Sequence, residues 1–453
     1  MPCWLKAKVI DAVKKTKKLG EEDPRRIVHS LKAGLALTLV SLFYYFLYDN
    51  YGESGLWAVI TVVVLFEFTV GATLSKAINR GFATLLAGAL GVGASYFARL
   101  HGDKAEYIVL CILVFVITAV ATFIRFLPSI KRRYDYGVLI FLLTFNMVSM
   151  AGYNVDEIMK TAHQRLSTVV AGAAICIMVS VLVFPVWAGE ALHNLVASNI
   201  EKLGNFMEGF GAEYFKVAVD GDSGGGTKGD KSFLKDYGSV LNSKPNELSM
   251  MNFAMWEPGH GNFRRRHPWG QYSKIGDLVR KCAYHVEAIS NYINSEVQVP
   301  PEFLRKIQEP CMQMSSDSGR ALKELASAFR TLTHPSSVYL HIENTKAAAA
   351  QLEIAMEAAS GESCSNLLEI VPAIMVASTL TSIMECIEKI AEAINELSRT
   401  AHFKRVDPDE PDLNCRVSAE TVRDGDHVAI SVDASMESHE NEKPQAPKAT
   451  DMA

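Results

Sequence analysis

The chain has 453 residues, more than one ordinary domain, with 49% hydrophobic residues and a net charge of −5. These averages conceal two unlike parts, since residues 27–187 are densely apolar and 188–453 read as a soluble protein, giving a mean hydropathy of only +0.11. The eight cysteines (Cys3, Cys111, Cys176, Cys282, Cys311, Cys364, Cys386 and Cys415) form no C-x-x-C pair and stand beside no histidines at ligand spacing, which excludes a zinc site and a dithiol redox motif and suits reduced thiols.

Residues 1–26 are rich in lysine and arginine but lack an apolar core followed by a cleavage site. A cytosolic segment is predicted there, not a cleaved signal peptide. Six apolar stretches follow, at 29–48, 56–75, 79–99, 106–127, 136–153 and 165–187. Each has about the length needed to cross roughly 30 Å of hydrocarbon as a helix, which satisfies its own backbone hydrogen bonds. Glu67 and Asn146 interrupt the second and the fifth. A six-helix transmembrane domain is therefore predicted over 27–188.

Basic residues in short loops set the orientation. They crowd the segment before the first span; Lys76 and Arg80 are read as joining spans two and three, and Arg125, Lys131, Arg132 and Arg133 as joining four and five. The alternate loops are acidic or mixed, with Asp49 and Glu53 in one, so both termini are placed in the cytosol. The runs Arg80-Gly-Phe-Ala-Thr84-Leu-Leu-Ala-Gly88 and Gln164-Arg165-Leu-Ser-Thr168-Val-Val-Ala-Gly172 suggest inverted three-helix repeats with one arginine in each half. Small residues recur at helix contacts by chance, which is the competing reading.

Within or at the ends of the spans stand Lys32, Lys76, Arg80, Arg125, Arg132, Arg133 and Arg165, against the single acid Glu67. A charge at the bilayer centre costs roughly 2.5–3.5 kcal/mol on insertion scales, so it should face protein or water. A surplus of cations suits an anion path, whereas proton relays and cation paths favour carboxylates. Snorkelling to headgroups is the ordinary alternative for Arg125, Arg132 and Arg133, and also for Lys76 and Lys32. Glu67 is read either as a structural ion-pair partner or as a gating group. Six helices leave little room for a hydrated pore, so a two-fold dimer with Arg80 and Arg165 from both copies around one path is expected.

Beyond Trp187 apolar residues recur at three- and four-residue spacing near 189–217, 230–255, 270–295, 301–332, 342–360 and 365–401. A cytosolic helical bundle over 189–403 is predicted, with the last helix kinked or split at Pro372. Arg264, Arg265 and Arg266 form a basic run, either solvated or holding an anion or a lipid headgroup. Residues 404–453 have few large apolar groups and read as a disordered tail. The whole chain is thus predicted to be all-α. No P-loop, nucleophile elbow or H-E-x-x-H is present, so neither an enzyme nor a bound cofactor is expected, and nothing points to nucleic acid.

GEEDPRRIVHSLKAGLALTLVS (20–41), LWAVITVVVLFEFTVGATLSKAINRGFATLLAG (56–88), ATFIRFLPSIKRRYDYGVLIFLLTFN (121–146), AHQRLSTVVAGAAICIMVSVLVFPVWAGEALH (162–193) and FAMWEPGHGNFRRRHPW (253–269) resemble the plant aluminium-activated malate transporter family, a group of anion channels. The resemblance spans about residues 20–403. It implies a homodimeric channel for malate and other anions, with family pore positions falling on Lys32, Arg80, Arg133 and Arg165 and an acidic partner at Glu67. The charge surplus adds Lys76 to that set. The family's amino-butyrate-responsive stretch would fall on Phe184-Pro185-Val186-Trp187, which interfacial anchoring explains equally well. Trivalent-cation sensing would need external oxygen ligands, for which Asp49, Glu53, Asp156 and Glu157 are the candidates, against the plain reading of solvated loop acids. Expected partners are malate, other anions, membrane lipid and a second copy of the chain. The plasma membrane is the expected location, with the vacuolar membrane as alternative, and a secondary organic-acid exporter or a membrane-anchored scaffold are the competing functions.

Overall fold

A computed structural model gives the structure of residues 23–47, 52–101, 105–151, 155–219, 235–263, 267–293, 300–362 and 367–404, with isolated residues before 22. All regular structure among them is helical; only two isolated bridges, His260–Phe263 and Thr333–Lys404, interrupt it. The all-α class read from the sequence holds.

Asp23 opens the first helix, α1 (Pro24–Leu47): its carboxylate accepts from Arg25 N at 3.1 Å, and Pro24 supplies a preset φ where no N–H is needed. Next come α2 (Gly52–Leu65), α3 (Val70–Arg99), α4 (Glu106–Ile124), a short α5 (Pro128–Arg133), α6 (Asp135–Ser149) and α7 (Val155–Leu182). Four of these, α1, α3, α4 and α7, are long and apolar enough to cross a membrane. Of the other three, α5 is a six-residue connector, and α2 and α6 span about 21–22 Å at 1.5 Å per residue, short of the hydrocarbon thickness. α3 packs against α6 and α7, α2 against α7, and α1 against both α2 and α7. Ala36, Val40, Ala58, Val62, Leu65 and Cys176 fill the seam between α1, α2 and α7, and Ala87, Ala94 and Phe145 that between α3 and α6. Outward, Phe82, Phe115, Phe123 and Leu182 are largely exposed, an apolar surface that water disfavours and lipid accepts.

The boundary between the second and third apolar stretches differs from the one predicted. The chain leaves the helix at Phe66–Thr69, not at 75–79, and Lys76 and Arg80 lie inside the continuous helix α3, not in a connecting loop. Thr69 caps α3 by accepting from Ala72 N at 3.3 Å, and Val70 N donates to Val186 O at 2.9 Å. Lys76-Ala-Ile-Asn79 contains no breaker, so its polarity alone does not end the helix. Glu67 accordingly stands in the break, not within a span. Arg80 and Arg165 are each the eleventh residue of their helix, counting from Val70 and Val155.

A second break, Val183–Trp187, has Phe184 at φ 42° and leads to α8 (Ala188–Val219), the first helix of a second bundle. Its other members are α9 (Tyr237–Leu241), α10 (Lys244–Ala254), α11 (Trp269–Ile293), α12 (Pro301–Thr331), α13 (Val338–Glu362) and α14 (Leu367–Thr400). α8 packs along α12, α12 along α13, and α11 along α14, around a core that includes Phe206, Phe210, Ile275, Ile289, Leu325, Phe329 and Ile383. α14 is apolar enough to cross a membrane, yet Ile383, Ile390, Ile394 and Leu397 are buried in this core, which accounts for its composition. Pro372 lies inside α14 without dividing it, because it sits in the second turn, where one lost backbone bond is easily tolerated; the predicted split is not found. Residues 264–266, with the three arginines, and residues 405–453 lie outside the described residues.

One polar network crosses this core. His193 Nε2 faces Arg330 O at 3.3 Å, so His193 Nδ1 accepts from the Tyr272 hydroxyl at 3.0 Å, and that oxygen in turn accepts from His267 Nε2 at 3.0 Å. Burial brings both imidazoles down to about 4, and the positive field of His193 adds to the effect at His267. The unfolded chain therefore binds more protons than the folded one between pH 6.5 and about 4, and stability falls as pH falls through that window. We expect the melting temperature of the purified protein to drop between pH 7 and 4.5, and to drop less in His193→Phe; a curve equally steep in the variant would contradict the assignment.

Candidate functional site

Of the basic residues singled out in the sequence, Lys32, Arg80 and Arg165 are buried among the apolar helices, Lys76, Arg125 and Arg133 are half-buried or exposed, and the side chain of Arg132 lies outside the described residues. Lys32 is 4% exposed, and its Nζ donates to Ser180 O at 3.3 Å and Phe184 O at 3.4 Å. These carbonyls close the end of α7, so the ammonium caps a helix C-terminus where cations are favoured. Lys76 pairs with the carboxylate of Glu67 across the start of α3 and lies 5.6 Å from the Tyr136 ring. Glu67 is held in turn by its backbone, whose N–H is accepted by Thr73 Oγ1 at 3.1 Å. Arg133 is exposed, its guanidinium 5.0 Å from the Trp256 ring and 5.7 Å from that of Tyr134, while its carbonyl accepts from Asn79 Nδ2 at 3.3 Å. Arg125 does not snorkel freely: it forks onto Asp135 at 2.8 and 3.1 Å.

Arg80 and Arg165 differ from the rest. They are 4% and 6% exposed, and neither has a carboxylate partner among the described residues. Arg80 Nη1 donates to the Tyr136 hydroxyl at 3.1 Å; Arg165 lies 3.4 Å from the Trp57 ring centroid and contacts the Met147 sulfur. The Nε of each has no acceptor. Two cations thus sit buried on two helices that pack together, one against Tyr136 and one against Trp57, with donors left over.

Three aromatic residues in this arrangement were not singled out by the sequence: Tyr136, which faces both Arg80 and Lys76, Trp57 under Arg165, and Trp256 under Arg133. In sequence each looks like an interfacial aromatic, and only the packing places its ring over a cation. Glu257 likewise carries no signal in the sequence. Its carboxylate accepts from Gly71 N, Ala188 N and Gly189 N, at the starts of α3 and α8. Of the acids read as cation-sensing candidates, Asp49 lies outside the described residues, as do the side chains of Glu53 and Asp156; Glu157 is exposed in the first turn of α7. In the stretch Phe184–Trp187, Trp187 stacks on His260 at 3.8 Å and Val186 O receives Val70 N, so this segment joins the two helix breaks.

A sequence model described as "Aluminium activated malate transporter" matches residues 17–363. The chain belongs to the aluminium-activated malate transporter family. It is 47% identical over 399 residues to aluminum-activated malate transporter 2 of Arabidopsis thaliana, covering 88% of this chain and 79% of that one. Similarity to aluminum-activated malate transporter 1 of the same plant is 46%, over 88% of this chain and 81% of the relative. The wheat (Triticum aestivum) aluminum-activated malate transporter 1 is 45% identical, over 85% and 84% respectively. The family is one of transporters, not enzymes. Membership agrees with the long apolar helices: this is a membrane protein.

The two ammonium groups of this family member predict different losses. Lys32→Met, which strips two buried carbonyls of their donor, should lower the unfolding free energy by about 2 kcal/mol. Glu67→Gln, which breaks a pair about a third exposed, should cost under about 1 kcal/mol. Thermal denaturation of the purified variants checks the order; a larger loss at Glu67 would contradict it.

Proposed function

We propose that this protein is an anion channel that passes malate and other organic or inorganic anions. The observation that carries the reading is the pair Arg80 and Arg165, buried in apolar helices with no carboxylate partner and with each Nε free of an acceptor among the described residues. A buried cation needs a compensating negative group, and a passing anion supplies one without closing the path permanently. Hydrogen bonds from guanidinium to carboxylate are charge-assisted and bidentate in favourable geometry, which suits a dicarboxylate such as malate. The names of the relatives, malate transporters, favour the same substrate.

In this reading Lys32, Lys76 and Arg133 add positive potential along the path, and Glu67 offsets part of it through Lys76. Two copies related by a two-fold axis would place four guanidiniums around one conduit. Residues 27–188 form the membrane domain, in inverted halves, and residues 189–403 lie in the cytosol. The protein acts in the plasma membrane, and the vacuolar membrane is the alternative. Voltage acts on such a channel because each charge crossing 100 mV exchanges roughly 2.3 kcal/mol. A response to aluminium would use oxygen ligands from Asp49, Asp156 and Glu157.

The second reading, a secondary organic-acid exporter working by alternating access, is favoured by the helix break at Phe66–Thr69 beside the basic cluster, since interrupted helices frame the sites of many such carriers. Discrete unitary openings separate the channel from slow, saturable, ion-coupled flux. Arg80→Glu and Arg165→Glu are each expected to reduce the anion current by an order of magnitude or to shift its selectivity, measured by patch clamp at matched surface expression. Unchanged currents in both variants would remove the pore assignment.

A further inference from the structure

The two helix breaks, Phe66–Thr69 and Val183–Trp187, each precede a helix whose first N–H groups have no acceptor within the helix. One side chain from the second bundle serves both. Glu257 stands in the loop after α10; its Oε1 accepts from Ala188 N at 2.6 Å and from Gly71 N at 3.1 Å, and its Oε2 from Gly189 N at 3.0 Å. A carboxylate here meets the positive ends of two helix dipoles at once. Burial pushes its pKa above the usual carboxylate value, while the N–H donors and His260 pull the other way.

The surrounding contacts leave no slack. A Cβ on Gly71 would strike Phe253 O and come within 2.9 Å of the Glu257 side chain, and one on Gly189 would lie 2.5–2.6 Å from the Trp269 ring. On either side of Glu257 the same loop grips the apolar helices, Trp256 through Arg133 at 5.0 Å and His260 through Trp187 at 3.8 Å. Lys76 and Arg80 follow Gly71 on the same unbroken helix, so whatever moves the start of α3 moves them.

We propose that Glu257 is a positioning residue for anion passage: its carboxylate ties the starts of α3 and α8 to the Trp256–Phe263 loop, so that movement of the second bundle is delivered to the helix bearing Lys76 and Arg80. The consequence for transport rests on the function proposed above; the clamp itself does not. A carboxylate that merely stabilised its own loop would leave the two helix starts unchanged on replacement. Glu257→Gln keeps the shape but removes one acceptor oxygen and the charge. Glu257→Asp keeps the charge but withdraws both oxygens by about one bond length, 1.5 Å.

The test uses full-length protein in lipid nanodiscs and proteoliposomes. Hydrogen–deuterium exchange is followed at the first turns of α3 and α8, and malate flux is followed at matched protein content. Both Glu257→Gln and Glu257→Asp should raise exchange at the two helix starts together, by roughly tenfold or more, and lower the flux several-fold. Glu247→Gln, which loosens the buried Arg280 pair inside the second bundle, should destabilise that bundle without loosening the start of α3 selectively. Exchange that rises at one start alone, or at neither, would overturn the clamp. Full flux with both starts loosened, or flux restored by Asp, would overturn the positioning role. If the Glu257 variants fail to accumulate, Gly189→Ala, which forces α8 off Trp269, should give the same paired rise, and its absence would count equally against the clamp. Wild-type protein that moves no anion would count against the transport reading, while exchange at the two helix starts would still decide the clamp.

Discussion

Two guanidinium groups buried among apolar helices, with no carboxylate partner among the described residues, set the terms for the rest of this molecule. A cation taken out of water costs several kcal/mol unless something compensates it. At Arg165 the indole of Trp57 offers its π face, and at Arg80 the Tyr136 hydroxyl offers a lone pair. Such contacts recover a fraction of the hydration lost, about 2 kcal/mol for a desolvated cation over an aromatic ring. A fold that keeps both charges in this condition is under-compensated by design of its seams, and the proposed role for a mobile anion follows from that shortfall.

Compensation elsewhere is more complete, and the contrast is informative. Lys32 finds two carbonyls at the end of α7, Lys76 finds Glu67, Arg125 finds Asp135, and Arg280 finds Glu247 and Asp277. These pairings hold together the points at which helices stop. Lys32 closes α7 just before the break at Val183–Trp187; Val70 N and Val186 O join that break to the one before α3; Glu257 secures the helix starts after both. The cluster bearing Arg80 is thus mounted on backbone whose orphan donors and acceptors are supplied from distant parts of the chain.

That distance explains which features could be read from the sequence. Long apolar runs gave α1, α4 and α7 because a span of about twenty residues with so few charges has few other uses. The basic candidates were legible because buried cations are rare, and all of them except the side chains outside the described residues are placed by the structure. The break before α3 was not legible. Leu65-Phe-Glu-Phe-Thr69 holds neither glycine nor proline, and the helix that follows it starts on bonds from Val70 N and Gly71 N to Val186 and Glu257, which lie more than a hundred residues away. The polar run Lys76–Arg80 looked like a loop for the same reason, since polarity marks exposure in most proteins but here marks an interior seam. Conversely, α14 has the composition of a membrane helix and proves to be the centre of the second bundle, where being apolar on most faces meets the same physical requirement as lipid. The aromatic floor of Trp57 and Tyr136 is a tertiary arrangement with no local signature.

Permeation by anions is the consequence that follows most directly from uncompensated guanidiniums. The reversal potential of the wild-type protein in a planar bilayer, with a tenfold malate gradient and symmetrical cation, measures it without reliance on any variant. The account predicts a reversal potential displaced toward the malate equilibrium value and indifferent to exchange of sodium for a large organic cation. A reversal potential that stays at zero under the malate gradient, or that follows the cation when the cation is made asymmetric, would contradict it.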